Sequence, residues 1–98
     1  MSVYTLGVWI VKEGCEDDFV RAWEELGQWT VEEGFASHGT LVRDRSNPRR
    51  YVSFGPWPTA EHVERWRASA VFKERLDRIM ETVDSFEPGT YDTVLSVS

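Results

Sequence analysis

The alternation of side chains in the first eleven residues is unusual. Tyr4, Leu6, Val8 and Ile10 form one set, and Val3, Thr5, Gly7, Trp9 and Val11 form the other. Both sets are largely apolar. An antiparallel strand with one wet face alternates cleanly between apolar and polar, so a strand over Val3–Val11 is expected to be covered on both sides. Lys12-Glu13-Gly14 reads as a turn. From Cys15 to about Val31, Phe19, Trp23, Leu26 and Thr30 recur at helical spacing on one face. Glu16, Asp17 and Asp18 fall in the first turn, where acids suit the helix dipole, and Gly34 marks the exit.

Ser37 to Arg45 reads as a second strand and Arg50 to Phe54 as a third, joined through Ser46-Asn47-Pro48, which has turn chemistry. The third strand is expected to stop at Gly55-Pro56. Thr59 is a suitable N-cap for a helix carrying Val63 and Trp66. Ser69 caps a following helix with Phe72, Leu76, Ile79 and Val83 at helical spacing. Glu87-Pro88-Gly89 is expected to end it, leaving Tyr91–Val97 as a fourth strand. The order β-α-β-β-α-β, with the second helix in two pieces, is the ferredoxin-like split βαβ arrangement of an α+β fold. That fold covers one sheet face with helices, so the apolar second face predicts a homodimer with the two sheets facing each other.

The chain has 98 residues, which suggests one domain over 1–98. Aromatic residues make up 13%, with five Trp, and large rings fill cores, ligand pockets or interfaces. The net charge of −6 argues against nucleic-acid binding, since an acidic domain repels phosphate backbones. No apolar run approaches the roughly 20 residues that span a bilayer, and the N-terminus lacks the pattern of a signal peptide. A cytoplasmic protein without membrane association is expected. A single cysteine, Cys15, leaves no internal disulfide framework. His38 and His62 have no partner at ligand spacing, so no metal site is expected.

Several segments together resemble the antibiotic biosynthesis monooxygenase (ABM) family of dimeric α+β barrel proteins. They are Val8-Trp9-Ile10-Val11-Lys12-Glu13-Gly14 with Phe19 and Trp23, then Gly39-Thr40-Leu41. Asn47-Pro48-Arg49-Arg50-Tyr51-Val52 running into Trp57 follows, and finally Trp66 with Ser69 and Phe72. The resemblance implies a ferredoxin-like domain with an antiparallel sheet that pairs into a dimeric α+β barrel. It also implies a cofactor-independent monooxygenase acting on a planar aromatic or polyketide-type molecule. Alternatives on the same fold are a cyclase or isomerase, or a non-catalytic dimeric ligand-binding domain. The haem-degrading branch carries an Asn where this chain has Gly7 and a haem-ligating His where it has Leu76, which disfavours that scheme.

Candidate site residues each have a plainer alternative. Trp66 either orients a planar ligand, by stacking or through its indole N–H, or fills the core. Trp9 shares a strand face with Gly7, whose missing side chain leaves room; the two would wall and open a cavity, and Trp9 would otherwise pack on the first helix. Phe72 continues the Trp66 wall. His38 is a natural proton acceptor near neutral pH, or a solvated strand-end residue. Arg43, Arg45, Arg49 and Arg50 form a basic cluster. Arg43 would meet a ligand anion, although such clusters more often pair with carboxylates across the dimer or stay wet. Tyr51 and Tyr91 would donate to a ligand oxygen or simply pack. The expected site is therefore Trp66 and His38 as catalytic groups, with Gly7, Trp9, Arg43, Tyr51 and Phe72 binding substrate.

The doubly apolar first strand makes the dimer testable. Size-exclusion chromatography with light scattering should return about twice the chain mass of 11.4 kDa. A monomer at micromolar concentration would contradict the two-faced reading.

Overall fold

A computed structural model describes residues 2–98. The chain runs β1 (Val3–Val11), α1 (Glu16–Glu32), β2 (Thr40–Arg43), β3 (Arg50–Trp57), α2 (Ala60–Ala68), α3 (Ala70–Met80) and β4 (Val83–Asp92). The four strands form one sheet in the order β2-β3-β1-β4, and all pairings are antiparallel. This is the ferredoxin-like α+β arrangement that the element order predicted.

The helix boundaries follow local chemistry. Gly14 and Gly34 take positive φ (87° and 77°) on either side of α1, where a residue without Cβ is unstrained. Thr59 and Ser69 cap α2 and α3, their hydroxyls accepting from the His62 and Val71 amides at 3.2 Å each. Ser69 lies in extended conformation between the two helices, so the break falls where the sequence placed it.

The strands depart from expectation in three places. β3 does not stop at Gly55-Pro56 but continues to Trp57, pairing Thr5 with Gly55, Tyr4 with Pro56 and Val3 with Trp57. Pairing with β2 ends at Phe54, so beyond it β3 is bordered on one side only and a proline is tolerated. Gly55 is needed because another backbone crosses it. A Cβ there would lie 2.8 Å from the His38 carbonyl oxygen and 3.1 Å from Gly39 Cα. β2 is shorter than Ser37–Arg45, as the same crossing occupies its first residues. The fourth strand is not Tyr91–Val97. α3 ends at Met80, Val83 opens β4, and Glu87-Pro88-Gly89 lies within the strand. β4 is an edge strand, which accommodates Pro88. Residues 93–98 lie beyond it, with Val94, Leu95 and Val97 79–88% exposed.

The pleat divides the apolar residues by parity. Val3, Trp9 and Val11 of β1 and Tyr51 and Trp57 of β3 are buried beneath the helices. The core is in two clusters. One holds Trp9, Val11, Phe19, Leu26, Tyr51, Phe72, Ile79 and Val83, the other Val3, Ala36, Trp57 and Val63, and Trp66 packs against both. Tyr4, Val42, Phe54 and Tyr91 carry the opposite parity and are 39–54% exposed. The second face of the sheet is therefore apolar and open within one chain, as the first strand indicated.

The β2–β3 turn is fastened by Asp44. The Ser46 amide donates to its carboxylate at 2.7 Å and Arg50 pairs with it at 3.3 Å. The Ser46 amide holds this carboxyl below the usual carboxylate range; partial desolvation opposes the shift, while the Asn47 amide and Arg50 reinforce it. A carboxyl with a lowered native pKa stabilises the fold fully above the unfolded carboxylate range. That contribution is lost as pH falls through the native value. Replacing Asp44 by Asn should therefore flatten the acid limb of denaturation midpoint against pH below about pH 4, leaving the neutral plateau lower. An unchanged acid limb would show that the turn does not need the charge.

Candidate functional site

The floor of the site is the covered face of β1 and β3. Gly7 pairs with Ser53 and Thr5 with Gly55, so two hydroxyl residues and two glycines alternate in a checkerboard. Trp9, two positions on from Gly7, donates from Nε1 to Ser53 Oγ at 2.9 Å. Its ring stacks on Phe86 of β4, with centroids 3.7 Å apart and planes within 8°. Trp57, at the end of β3, donates from Nε1 to Thr5 Oγ1 at 2.8 Å. Both pairs satisfy an indole N–H that would otherwise be desolvated without a partner.

The wall comes from the helices. Trp66 of α2 lies with its centroid 4.7 Å from Trp57 and 4.3 Å from Phe72, tilted to each. Its Nε1 donates to Thr30 Oγ1 at 2.8 Å. Thr30 in turn donates to the Leu26 carbonyl at 2.7 Å, a back-bond within α1 that turns its hydroxyl into an oriented acceptor. Trp66 is thus held by edge contacts on two sides and a hydrogen bond on the third.

Floor and wall enclose a cavity of about 580 Å³, within the range that takes small organic ligands. Trp9, Trp23, Trp57, Trp66, Phe72 and Phe86 line it, with Thr5, Thr30 and Ser53 as inner polar groups. Gln28, Ser37, His38 and Arg67 also line it and are exposed, forming a polar rim. His38 Nδ1 lies 3.0 Å from Ser37 Oγ, leaving Nε2 as the nitrogen for a bound molecule. A second groove, of about 520 Å³, adjoins it and shares Trp23 and Glu24; Arg43, Tyr51, Leu41 and the acids Glu16 and Asp17 line this one.

The expected residues therefore divide. Gly7, Trp9, His38, Trp66 and Phe72 meet around the main cavity, whereas Arg43 and Tyr51 face the neighbouring groove. Tyr51 is buried with its ring 5.0 Å from Phe19. Tyr91 lies on the open sheet face, its ring covering Gly89. Gly7 lines the cavity without opening it, because a Cβ there would lie 2.8 Å from Phe86 Cε1. An Asn at that position has no room, and Leu76, which also lines the cavity, offers no metal-ligating nitrogen. The haem-degrading arrangement does not fit these residues. The Trp66 N–H is engaged by Thr30, so a ligand meets its ring and not its donor. Of the arginines, Arg49 reaches the Val11 carbonyl at 2.8 Å and pairs with Asp84, and Arg50 pairs with Asp44. These partners lie within the chain.

Sequence reasoning missed Thr5, Thr30 and Ser53. Their signal was present: three Trp that must bury a donor require three acceptors.

The model of the family described as antibiotic biosynthesis monooxygenase matches residues 3–93. The chain belongs to this family. No curated protein matches the sequence. Among solved structures, SnoaB, a cofactor-independent oxygenase from Streptomyces nogalater, is similar at a TM-score of 0.89. It is 17% identical over 98% of this chain and 96% of its own. A structure described as an antibiotic biosynthesis monooxygenase gives 0.82, with 18% identity over 95% of this chain and 99% of that one. A conserved protein from Methanosarcina mazei gives 0.84, with 18% identity over 93% and 91%. At these identities the structural likeness establishes the ABM fold, and the chemistry has to be argued from the cavity. Among the described residues no helix is long and apolar enough to cross a membrane.

The hydrogen bond that fixes Trp66 has a measurable weight. Trp66→Phe keeps a ring against Trp57 and Phe72 but removes the donor, and should lower unfolding free energy by about 1 kcal/mol in urea titration. An unchanged midpoint would mean that ring packing alone holds the indole.

Proposed function

We propose that this ABM-family chain is a monooxygenase that binds a planar aromatic or polyketide-type small molecule in the cavity between sheet and helices. Its second substrate is molecular oxygen, and it uses no metal or organic cofactor. The observation that carries this reading is the lining: six large rings surround a space of suitable size while polar groups gather at one rim. Such a cavity favours flat, apolar ligands with polar atoms at an edge.

The chemistry then rests on the substrate. His38 at the rim accepts a proton from an acidic CH₂ or phenol of an anthrone-like ring, leaving a delocalised anion. The anion gives one electron to oxygen, recombination of the radical pair forms a C–O bond, and the proton returned by His38 makes the hydroperoxide. Loss of water leaves a carbonyl, so that CH₂ and O₂ become C=O and H₂O. Trp66, Trp9 and Phe72 orient the ring, Gly7 lets the Phe86 ring close over the floor, and exclusion of water strengthens each hydrogen bond to the anion. Arg43 and Tyr51 would meet a substituent that extends past Trp23 into the adjoining groove. A homodimer formed through the open sheet face would cover Tyr4, Val42, Phe54 and Tyr91. A second copy would also give cover to Val94, Leu95 and Val97.

Oxygen-electrode measurements with a hydroxyanthrone test this reading. Uptake should require both protein and substrate and survive a metal chelator. His38→Ala should lower turnover by about a hundredfold or more. Product formed without oxygen uptake would make the protein a cyclase or isomerase. Binding without turnover would make it a ligand-binding domain.

A further inference from the structure

Three indole N–H groups under the helices end on hydroxyls, and the three hydroxyls are not equivalent. An indole nitrogen only donates, so the direction of each bond is fixed and each hydroxyl keeps one proton to give. Thr30 gives its proton to the Leu26 carbonyl at 2.7 Å and has no donor left. Thr5 accepts from Trp57 at 2.8 Å and Ser53 accepts from Trp9 at 2.9 Å. Among the described residues, the bond accepted from the indole is the one side-chain hydrogen bond that each of Thr5 and Ser53 makes, which leaves its own proton to give. Both line the cavity. A hydroxyl that accepts one hydrogen bond is polarised into a better donor for the next.

We infer that Thr5 and Ser53 form a paired donor subsite for acceptor oxygens of the bound molecule. These would be carbonyl, enolate or phenolate oxygens on the ring edge that faces the sheet. The inference rests on the reading of the cavity as a site for planar aromatic molecules. The two residues occupy one diagonal of the β1–β3 checkerboard, with Gly7 and Gly55 on the other. Neither Gly7 nor Gly55 therefore places a side chain between them. The subsite is bordered by the Phe86 ring over Gly7 and the His38 carbonyl over Gly55. Diagonal neighbours on adjacent strands lie about 7–8 Å apart, which suits two oxygens along one edge better than one shared between both donors. As neutral donors the hydroxyls donate to a ground-state carbonyl oxygen, and they bind it more strongly as it gains negative charge. This assigns the ligand an orientation, with its oxygen-bearing edge on the sheet and its hydrocarbon edge against Trp66 and Phe72.

The test uses acenaphthenequinone and acenaphthene, which differ by two adjacent carbonyls on one edge in place of two CH₂ groups. Each is titrated into the full-length protein while tryptophan fluorescence is followed. Wild-type protein should prefer acenaphthenequinone by about tenfold. Ser53→Ala and Thr5→Val should each reduce that preference several-fold, and Ser53→Thr and Thr5→Ser, which keep the hydroxyl, should retain it. The preference is a ratio measured on one variant, so general loosening of packing cancels. If Thr5→Val does not fold, Ser53→Ala decides. Equal wild-type affinity for the two probes, or a preference that survives both hydroxyl deletions, overturns the subsite and leaves the cavity reading standing. No binding of either probe overturns both.

Discussion

The interior of this protein is built from indoles, and each indole brings a donor that must be satisfied away from water. Leaving one unpaired would cost on the order of 1–3 kcal/mol, a large share of what a small domain has in reserve. Three of the five Trp meet this constraint through a hydroxyl on another element: Trp9 on Ser53, Trp57 on Thr5, Trp66 on Thr30. Those bonds fix the azimuth of each ring as well as its depth. They join β1 to β3 within the sheet and α2 to α1 within the helical layer, so each layer is fastened on its own side of the cavity. Aromatic packing alone would leave the rings free to slide and close the space they surround.

The same constraint explains the character of the cavity. The donors of Trp9, Trp57 and Trp66 are already engaged, so a ligand meets their ring faces and edges. Polarity is left at the rim around His38 and at the two floor hydroxyls. ABM membership and the likeness to SnoaB agree with a site of this kind, but at 17% identity the argument for chemistry has to come from the residues themselves.

Much of the architecture was legible in the sequence. The parity of Val3–Val11, the caps at Thr59 and Ser69 and the glycines closing α1 each rest on local chemistry that a linear reading can see. Gly55-Pro56 and Glu87-Pro88-Gly89 misled because they are breakers by composition. Whether a proline interrupts a strand depends on which edge has a partner, and that is known only once strand order is known. The site was half legible for the same reason. Trp66, Trp9, Phe72 and His38 announce themselves by residue type. Thr5 and Ser53 are ordinary strand residues until a pairing 44 to 52 residues apart places an indole over each.

The pleat also separates two kinds of evolutionary freedom. Residues 5, 7 and 9 of β1 shape the cavity, and residues 4, 6, 8 and 10 shape the opposite surface, so substitutions on one side pass almost unnoticed on the other. A lineage can retune its ligand without disturbing what lies against the outer face, and the reverse. Insertion of a single residue in β1 would exchange the two sets at once, so a change in length disturbs both faces where a replacement disturbs one.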